Sequence, residues 1–194
     1  MNSYMPNSVS MQKTYYTEQL GALQRLFGTT DVCVEQDCLL VADHRYPIID
    51  DVIILLSPDQ YTPYISERLG IASTGVEDHA VFAQDIQYTF GAEWQKFEQI
   101  MTEHDEEFRQ YFDLVDGTWL NGCVCDLGCG IGRWSTFIAE KCREVVLVDF
   151  SDAIFVARRN LQNAPNALFF MGDLTRLPFV HGFADFLFCL GVRH

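Results

Sequence analysis

The sequence predicts an α/β protein, with a parallel sheet in its C-terminal part preceded by a small β-rich and helical extension. Three observations carry this. From Gly122 onward, short apolar runs alternate with segments of helix length, the pattern of strands covered on both faces by helices. A glycine-rich turn, Asp126-Leu127-Gly128-Cys129-Gly130-Ile131-Gly132, lies between the first of these strands and the first helix, where open α/β sheets bind ligands. Ahead of it, residues 31–56 are dense in Val, Ile and Leu and broken by aspartates, which predicts short strands joined by turns.

In chain order, residues 1–13 are polar and predict a loose tail. Thr14 to Phe27 places Tyr15, Leu20, Leu23 and Phe27 near helical spacing, predicting a short helix. From Asp31 to Leu56 the breaks at Asp37, Asp43-His44 and Asp50-Asp51 predict two or three strands. Ser57-Pro58-Asp59 and Pro63 close this unit, and a loop with short helical turns follows. Between Glu77 and Val115, Phe82, Ile86, Phe90, Trp94, Phe97, Ile100, Phe108, Tyr111 and Phe112 recur mostly at helical steps. That predicts amphipathic helix in two pieces near Gly91, its aromatics read as packing and its acidic run Glu103 to Glu107 as a solvated face. The parallel part is expected as strand Gly122 to Asp126, helix Arg133 to Cys142, strand Glu144 to Asp149 and helix Asp152 to Asn163, with Ser151 as N-cap. Strands Ala167 to Met171 and Ala184 to Leu190 complete it. The resulting organisation is a tail, helix and β-rich unit over 1–60, a helical lead-in over 61–118 and the parallel α/β domain over 119–194.

A chain of 194 residues suits one main domain with a small appendage. Its 13 basic and 27 acidic residues give a net charge of −14, which repels phosphate backbones, so no nucleic-acid partner is expected. Seven cysteines, an odd number scattered through apolar stretches, fit reduced thiols. The opening MNSYMPNSVSMQK lacks the features of a targeting peptide, and a cytoplasmic location is the expectation. Val52 to Leu56 is far short of the roughly 20 residues that cross a bilayer, so no membrane association is expected.

Two ligand classes compete for the glycine turn. A dinucleotide fingerprint wants glycine or alanine three residues past its second glycine, but Arg133 stands there. Asp126, just ahead of the glycines, opposes a diphosphate and attracts the ammonium and sulfonium of S-adenosylmethionine. A P-loop is excluded because no Gly-Lys-Ser or Gly-Lys-Thr follows. Cys123, Cys125 and Cys129 form C-x-C-x₃-C, yet two lie in a predicted strand and the third among glycines. No metal is expected.

With these residues in place, the sequence resembles the class I S-adenosylmethionine-dependent methyltransferases, most closely the quinone-methyltransferase-like (type 11) group. The resemblance runs from about Asn121 to His194 and rests on DLGCGIG, on VVLVDFS containing Asp149, on MGDLTRLPF containing Asp173, and on FADFLFCLGVRH. It implies a Rossmann-like parallel sheet with strand order 3-2-1-4, S-adenosylmethionine as cofactor and a small-molecule methyl acceptor. Carried over, Gly128, Cys129, Gly130 and Gly132 line the methionine part of the cofactor and Asp126 holds its amino group directly or through water. Asp149 takes the ribose hydroxyls, Phe150 flanks the adenine, Asp173 accepts from the adenine amino group, the Leu174 N–H meets a ring nitrogen, and Leu190 with Gly191 borders the methyl-bearing side. Both acids also have a purely structural reading, Asp149 as a helix cap and Asp173 as a turn former. No catalytic base is assigned, His194 being the family-like position nearest to one.

The family fold continues past a fourth strand, so the resemblance implies an incomplete fold whose fourth strand is covered by a missing C-terminal half, or else by the N-terminal elements or a second subunit. RYPIIDDVIILL resembles the end of a small zinc-ribbon-like domain that assists some methyltransferases, here without its C-x-x-C pairs and so a metal-free remnant. FGAEWQKF resembles a helical lead-in that covers the active site in such proteins, making Phe90 and Trp94 candidates for a substrate pocket. The alternative to an enzyme is a noncatalytic S-adenosylmethionine-binding or partner-activating module.

Overall fold

A computed structural model describes residues 14–71, 100 and 103–190. The expected helix over 77–99, the pocket candidates Phe90 and Trp94, and Gly191 and His194 lie outside the described residues. Strands β1 (Val32–Glu35), β2 (Cys38–Val41), β3 (His44–Ile49), β4 (Val52–Ile54), β5 (Cys123–Leu127), β6 (Glu144–Asp149), β7 (Ala167–Met171) and β8 (Phe186–Phe188) form one eight-stranded sheet. Helices α1 (Leu20–Phe27), α2 (Pro63–Leu69), α3 (Glu103–Tyr111), α4 (Arg133–Ile138) and α5 (Ala153–Asn160) surround it.

The sheet order is β1-β2-β3-β4-β7-β6-β5-β8. Its C-terminal half reads β7-β6-β5-β8, all parallel, which is the 3-2-1-4 order expected of a Rossmann-like sheet. The N-terminal β-rich unit joins the same sheet: β4 runs parallel to β7, with Ile53 opposite Phe170 and Ile54 opposite Met171, and Leu55 N–H continues the ladder to the Met171 carbonyl at 2.8 Å. The unit has four strands rather than two or three, because each aspartate break is a tight turn between full strands. At Asp50 and Asp51 both φ angles are positive, 47° and 62°, the backbone twist that matches two paired antiparallel strands.

Alternation along each strand divides the core. Val145 and Leu147 face a cluster with Ile154, Ala157 and Leu161 of the α5 region and Ile65 of α2. Val146 and Val148 face the opposite cluster, with Leu23, Leu26 and Phe27 of α1 and the buried Tyr16. A third cluster joins Phe108 and Phe112, on and just past α3, to Val124, Ile138 and Phe188. The N-terminal helix begins as a 3-10 turn over Tyr15–Gln19 before α1. Helix α4 stops at Ile138, short of the expected Cys142, since the Asn166 amide takes the carbonyls of Ala139 at 2.8 Å and Cys142 at 3.0 Å. Helix α5 likewise ends at Asn160, and β8 keeps only its central residues. Among the described residues no helix is long and apolar enough to cross a membrane.

Candidate functional site

The carboxyl ends of β5, β6 and β7 stand side by side, and the loop after β5 folds over them. Gly128, Gly130 and Gly132 all adopt positive φ, at 73°, 55° and 73°, which glycine reaches without the clash a Cβ brings. The loop is fastened to β6. Gly128 N–H and Cys129 N–H both donate to the Val148 carbonyl, at 2.8 and 3.1 Å, and Gly132 N–H returns to the Cys129 carbonyl at 2.9 Å. Gly132 also packs where no side chain fits, a Cβ there falling 2.8 Å from Leu161 Cδ1 and 3.1 Å from Ala157 Cβ.

Asp149 organises this corner. Its Oδ2 accepts from Gly130 N–H at 2.7 Å, and its Oδ1 accepts from the Ser151 N–H at 2.8 Å and the Ser151 hydroxyl at 2.7 Å. Gly172 N–H donates to the Asp149 carbonyl at 2.9 Å, tying the end of β7 to the same residue. Burial raises the Asp149 carboxyl and these donors partly counter it, leaving it above the ordinary carboxylate range. The Ser151 hydroxyl in turn accepts from Ala153 N–H at 3.3 Å, but the N-cap of α5 is Asp152 and not the expected Ser151, whose hydroxyl braces the acid.

Asp126, 1% exposed, lies in β5 just before the loop and accepts from the Ser135 hydroxyl of α4 at 2.7 Å. Burial, chiefly, and the neighbouring Asp149 charge push its carboxyl up to about 7, with Ser135 opposing them. Cys129 is buried, its thiol raised well above the usual range first by burial and then by the charges of Asp149 and Asp126. That is the setting of an inert thiol. Cys123 and Cys125 are buried in β5, and among the described residues no cluster of three or more His, Cys, Asp or Glu side chains could hold a metal ion.

Asp173 follows β7 in a turn. Its Oδ1 accepts from the Thr175 N–H at 2.9 Å and hydroxyl at 2.7 Å, and its Oδ2 from the Gln60 amide at 3.2 Å. Phe150 packs against the core face of α5, Leu174 against the opposite face, and Leu190, past β8, against the cluster of Phe108 and Phe188. The structure thus gathers Asp126, the glycines and Asp149 at one corner, sets Asp173 at the end of the next strand, and spreads the three apolar candidates over three clusters. Sequence reading missed Ser135 and Gln60. Ser135 had a local signal, a hydroxyl in the first turn after the loop; Gln60 had none, being 113 residues from its partner.

A parallel sheet in this order, with a glycine loop and acids at its carboxyl edge, is a Rossmann-like α/β fold. Residues 124–194 match a family described as a methyltransferase domain. Among solved structures, phosphoethanolamine N-methyltransferase 1 of Haemonchus contortus, in complex with phosphoethanolamine and S-adenosylhomocysteine, is 23% identical, with 47% of this chain and 22% of that one covered and a TM-score of 0.38. The magnesium protoporphyrin IX methyltransferase of Synechocystis PCC 6803, with bound S-adenosylhomocysteine, is 21% identical over 69% of this chain and 55% of that one, with a TM-score of 0.36. A complex titled DhpI-SAM-HEP is 17% identical over 51% and 46%, with a TM-score of 0.38. The chain therefore spans about a fifth to about half of the length of these proteins. No curated protein matches it by sequence.

Proposed function

We propose that the chain binds S-adenosylmethionine across the ends of β5, β6 and β7 and directs in-line transfer of its methyl group to a small-molecule acceptor. The observation that carries this reading is the buried pair of acids around a side-chain-free loop: Asp126 beneath it and Asp149 bonded to Gly130 within it. Such a corner accepts a cationic nucleoside and repels a diphosphate, and the residues present fit that group. When bound, S-adenosylmethionine supplies a methyl group activated by a sulfonium.

The chain's own part is to hold and align. Asp149, at the end of β6, would accept from the ribose hydroxyls. Asp126, sealed in β5, would hold the amino group directly or through water and would favour positive charge there. Gly128 and Gly130 let backbone stand against the methionine part, and Asp173 faces the base. Displacement from a sulfonium needs a general base only when the acceptor is a poor nucleophile, so alignment in a water-poor pocket can supply most of the acceleration.

Titration calorimetry of the 194-residue chain with S-adenosylmethionine and with NAD tests the reading. Binding of the first alone is expected, with Asp149→Ala weakening it by about 30-fold or more, the loss of about 2 kcal/mol of charge-assisted hydrogen bonding. NAD binding in its place, or unaltered affinity in Asp149→Ala, overturns it.

A further inference from the structure

Along the sheet β5 is followed by β6, β7 and β4. With its amino acid part on the loop after β5 and its ribose on Asp149 at the end of β6, a nucleoside continuing in that direction brings its base to the end of β7 and, beyond that, β4. The segment leaving β4 therefore flanks the base end of the site, and it belongs to the N-terminal unit.

That segment is held firmly. Leu55 N–H bonds to the Met171 carbonyl at 2.8 Å, Leu56 is 5% exposed, and the 3-10 turn Pro58–Gln60 follows. The Gln60 Oε1 accepts from the Ser57 N–H at 3.2 Å and the Ser57 hydroxyl at 3.0 Å, so the amide has one orientation, with Nε2 donating to Asp173 Oδ2 at 3.2 Å. Farther along, the Thr62 hydroxyl donates to Asp152 Oδ1 at 3.0 Å. Around Gly172, a Cβ would lie within 3.2 Å of Leu177 and 3.3 Å of Leu55, which leaves the backbone before Asp173 little room to swing. Thr175 gives Asp173 Oδ1 two donors, whereas Oδ2 carries Gln60 and, with two lone pairs, still accepts a second donor.

Resting on the cofactor reading above, we infer that Gln60 is a positioning residue for base recognition: it holds Asp173 Oδ2 in the orientation that accepts from the exocyclic amino group of adenine. A hypoxanthine base, with a carbonyl in place of that amino group, sets acceptor against acceptor at this point. The N-terminal unit thus takes part in cofactor selectivity and is more than an edge cover.

The test is calorimetry of the full chain with S-adenosylhomocysteine and S-inosylhomocysteine. The unchanged protein should prefer the adenosyl ligand. Gln60→Ala should lower that affinity about 5-fold while the inosyl ligand stays within about twofold, so that selectivity shrinks by the same factor. In an Asp173→Asn background, Gln60→Ala should have no further effect on selectivity, since the two act as one unit. Equal loss of both ligands, as a merely structural role gives, overturns the inference, as does unchanged selectivity in Gln60→Ala or additivity with Asp173→Asn. If the unchanged chain binds S-adenosylhomocysteine but not selectively, this inference alone falls; if it does not bind it at all, the cofactor reading falls and takes the inference with it.

Discussion

A carboxyl group sealed beneath a glycine loop binds a proton and a cation in competition. Asp126, pushed up to about 7 by burial and by Asp149, is about one-tenth ionised at pH about 6 and about nine-tenths at pH about 8. Only the ionised form attracts a sulfonium or ammonium, so S-adenosylmethionine affinity should rise several-fold across that interval and then level off. Calorimetry at the two pH values checks this, and Asp126→Asn should lose the dependence. Gly132 answers a different demand. At φ 73° and with a Cβ position 2.8 Å from Leu161 Cδ1, Gly132→Ala combines backbone strain with overpacking against α5. It should lower stability by about 1–3 kcal/mol in urea unfolding. The same scale shows how legible the site was. DLGCGIG and the strand-end acids could be read in sequence because they are local, and Asp149 stands at the end of β6 as read. It braces Ser151 and holds the loop through Gly130, and that preorganisation is what a ligand would use.

Elements were legible where their signals were local and failed where a distant partner set the boundary. β6 and β7 fall where the apolar runs place them. The end of α4 is set by Asn166, and β8 begins late because the Asp185 carboxylate takes the Cys123 N–H at 2.7 Å. Neither fact is written near the element concerned. The largest omission was the seam between β4 and β7, a parallel pairing of segments more than a hundred residues apart. Tyr16 locks that seam. Fully buried, its hydroxyl reaches the Asp51 carbonyl at 2.6 Å in the β3–β4 turn and the Phe169 backbone in β7. Tyr16→Phe keeps the ring and leaves those groups unpaired, which should cost about 1–3 kcal/mol. Hydrogen exchange should localise the added opening to β4 and β7 rather than to β5 and β6; opening spread evenly over the sheet would contradict a seam role.

For the molecule as a whole, the corner of Asp126 and Asp149 is a source of instability that a cationic ligand would relieve. The Asp126 carboxyl titrates near 7 in the native state against 3.8 as its ordinary value, and Asp149 is raised in the same direction. Between about pH 4 and 7 the native chain therefore holds protons that the unfolded chain has released. Stability must fall as pH rises through that window, by about 4 kcal/mol at most for the Asp126 shift alone. Asp50 and Asp173, lowered despite their partial burial by donors from Tyr64 and Arg68 and from Thr175 and Gln60, act oppositely and only as pH drops below the ordinary range. A chain of net charge −14 also repels itself more as pH rises, so the specific contribution has to be isolated. Urea unfolding at pH about 5 and about 8 should show the unchanged protein less stable at the higher pH, and Asp126→Asn, which keeps a polar group but cannot ionise, should retain only the smaller slope due to general repulsion and to the raised Asp149 and Asp152 carboxyls. Saturating S-adenosylmethionine should restore the unchanged protein at pH about 8 more than at pH about 5, because the ligand favours the ionised acid. Identical slopes in the two proteins would show that the Asp126 carboxylate is not buried at a cost, and with that the account of the corner as a cation trap would fail.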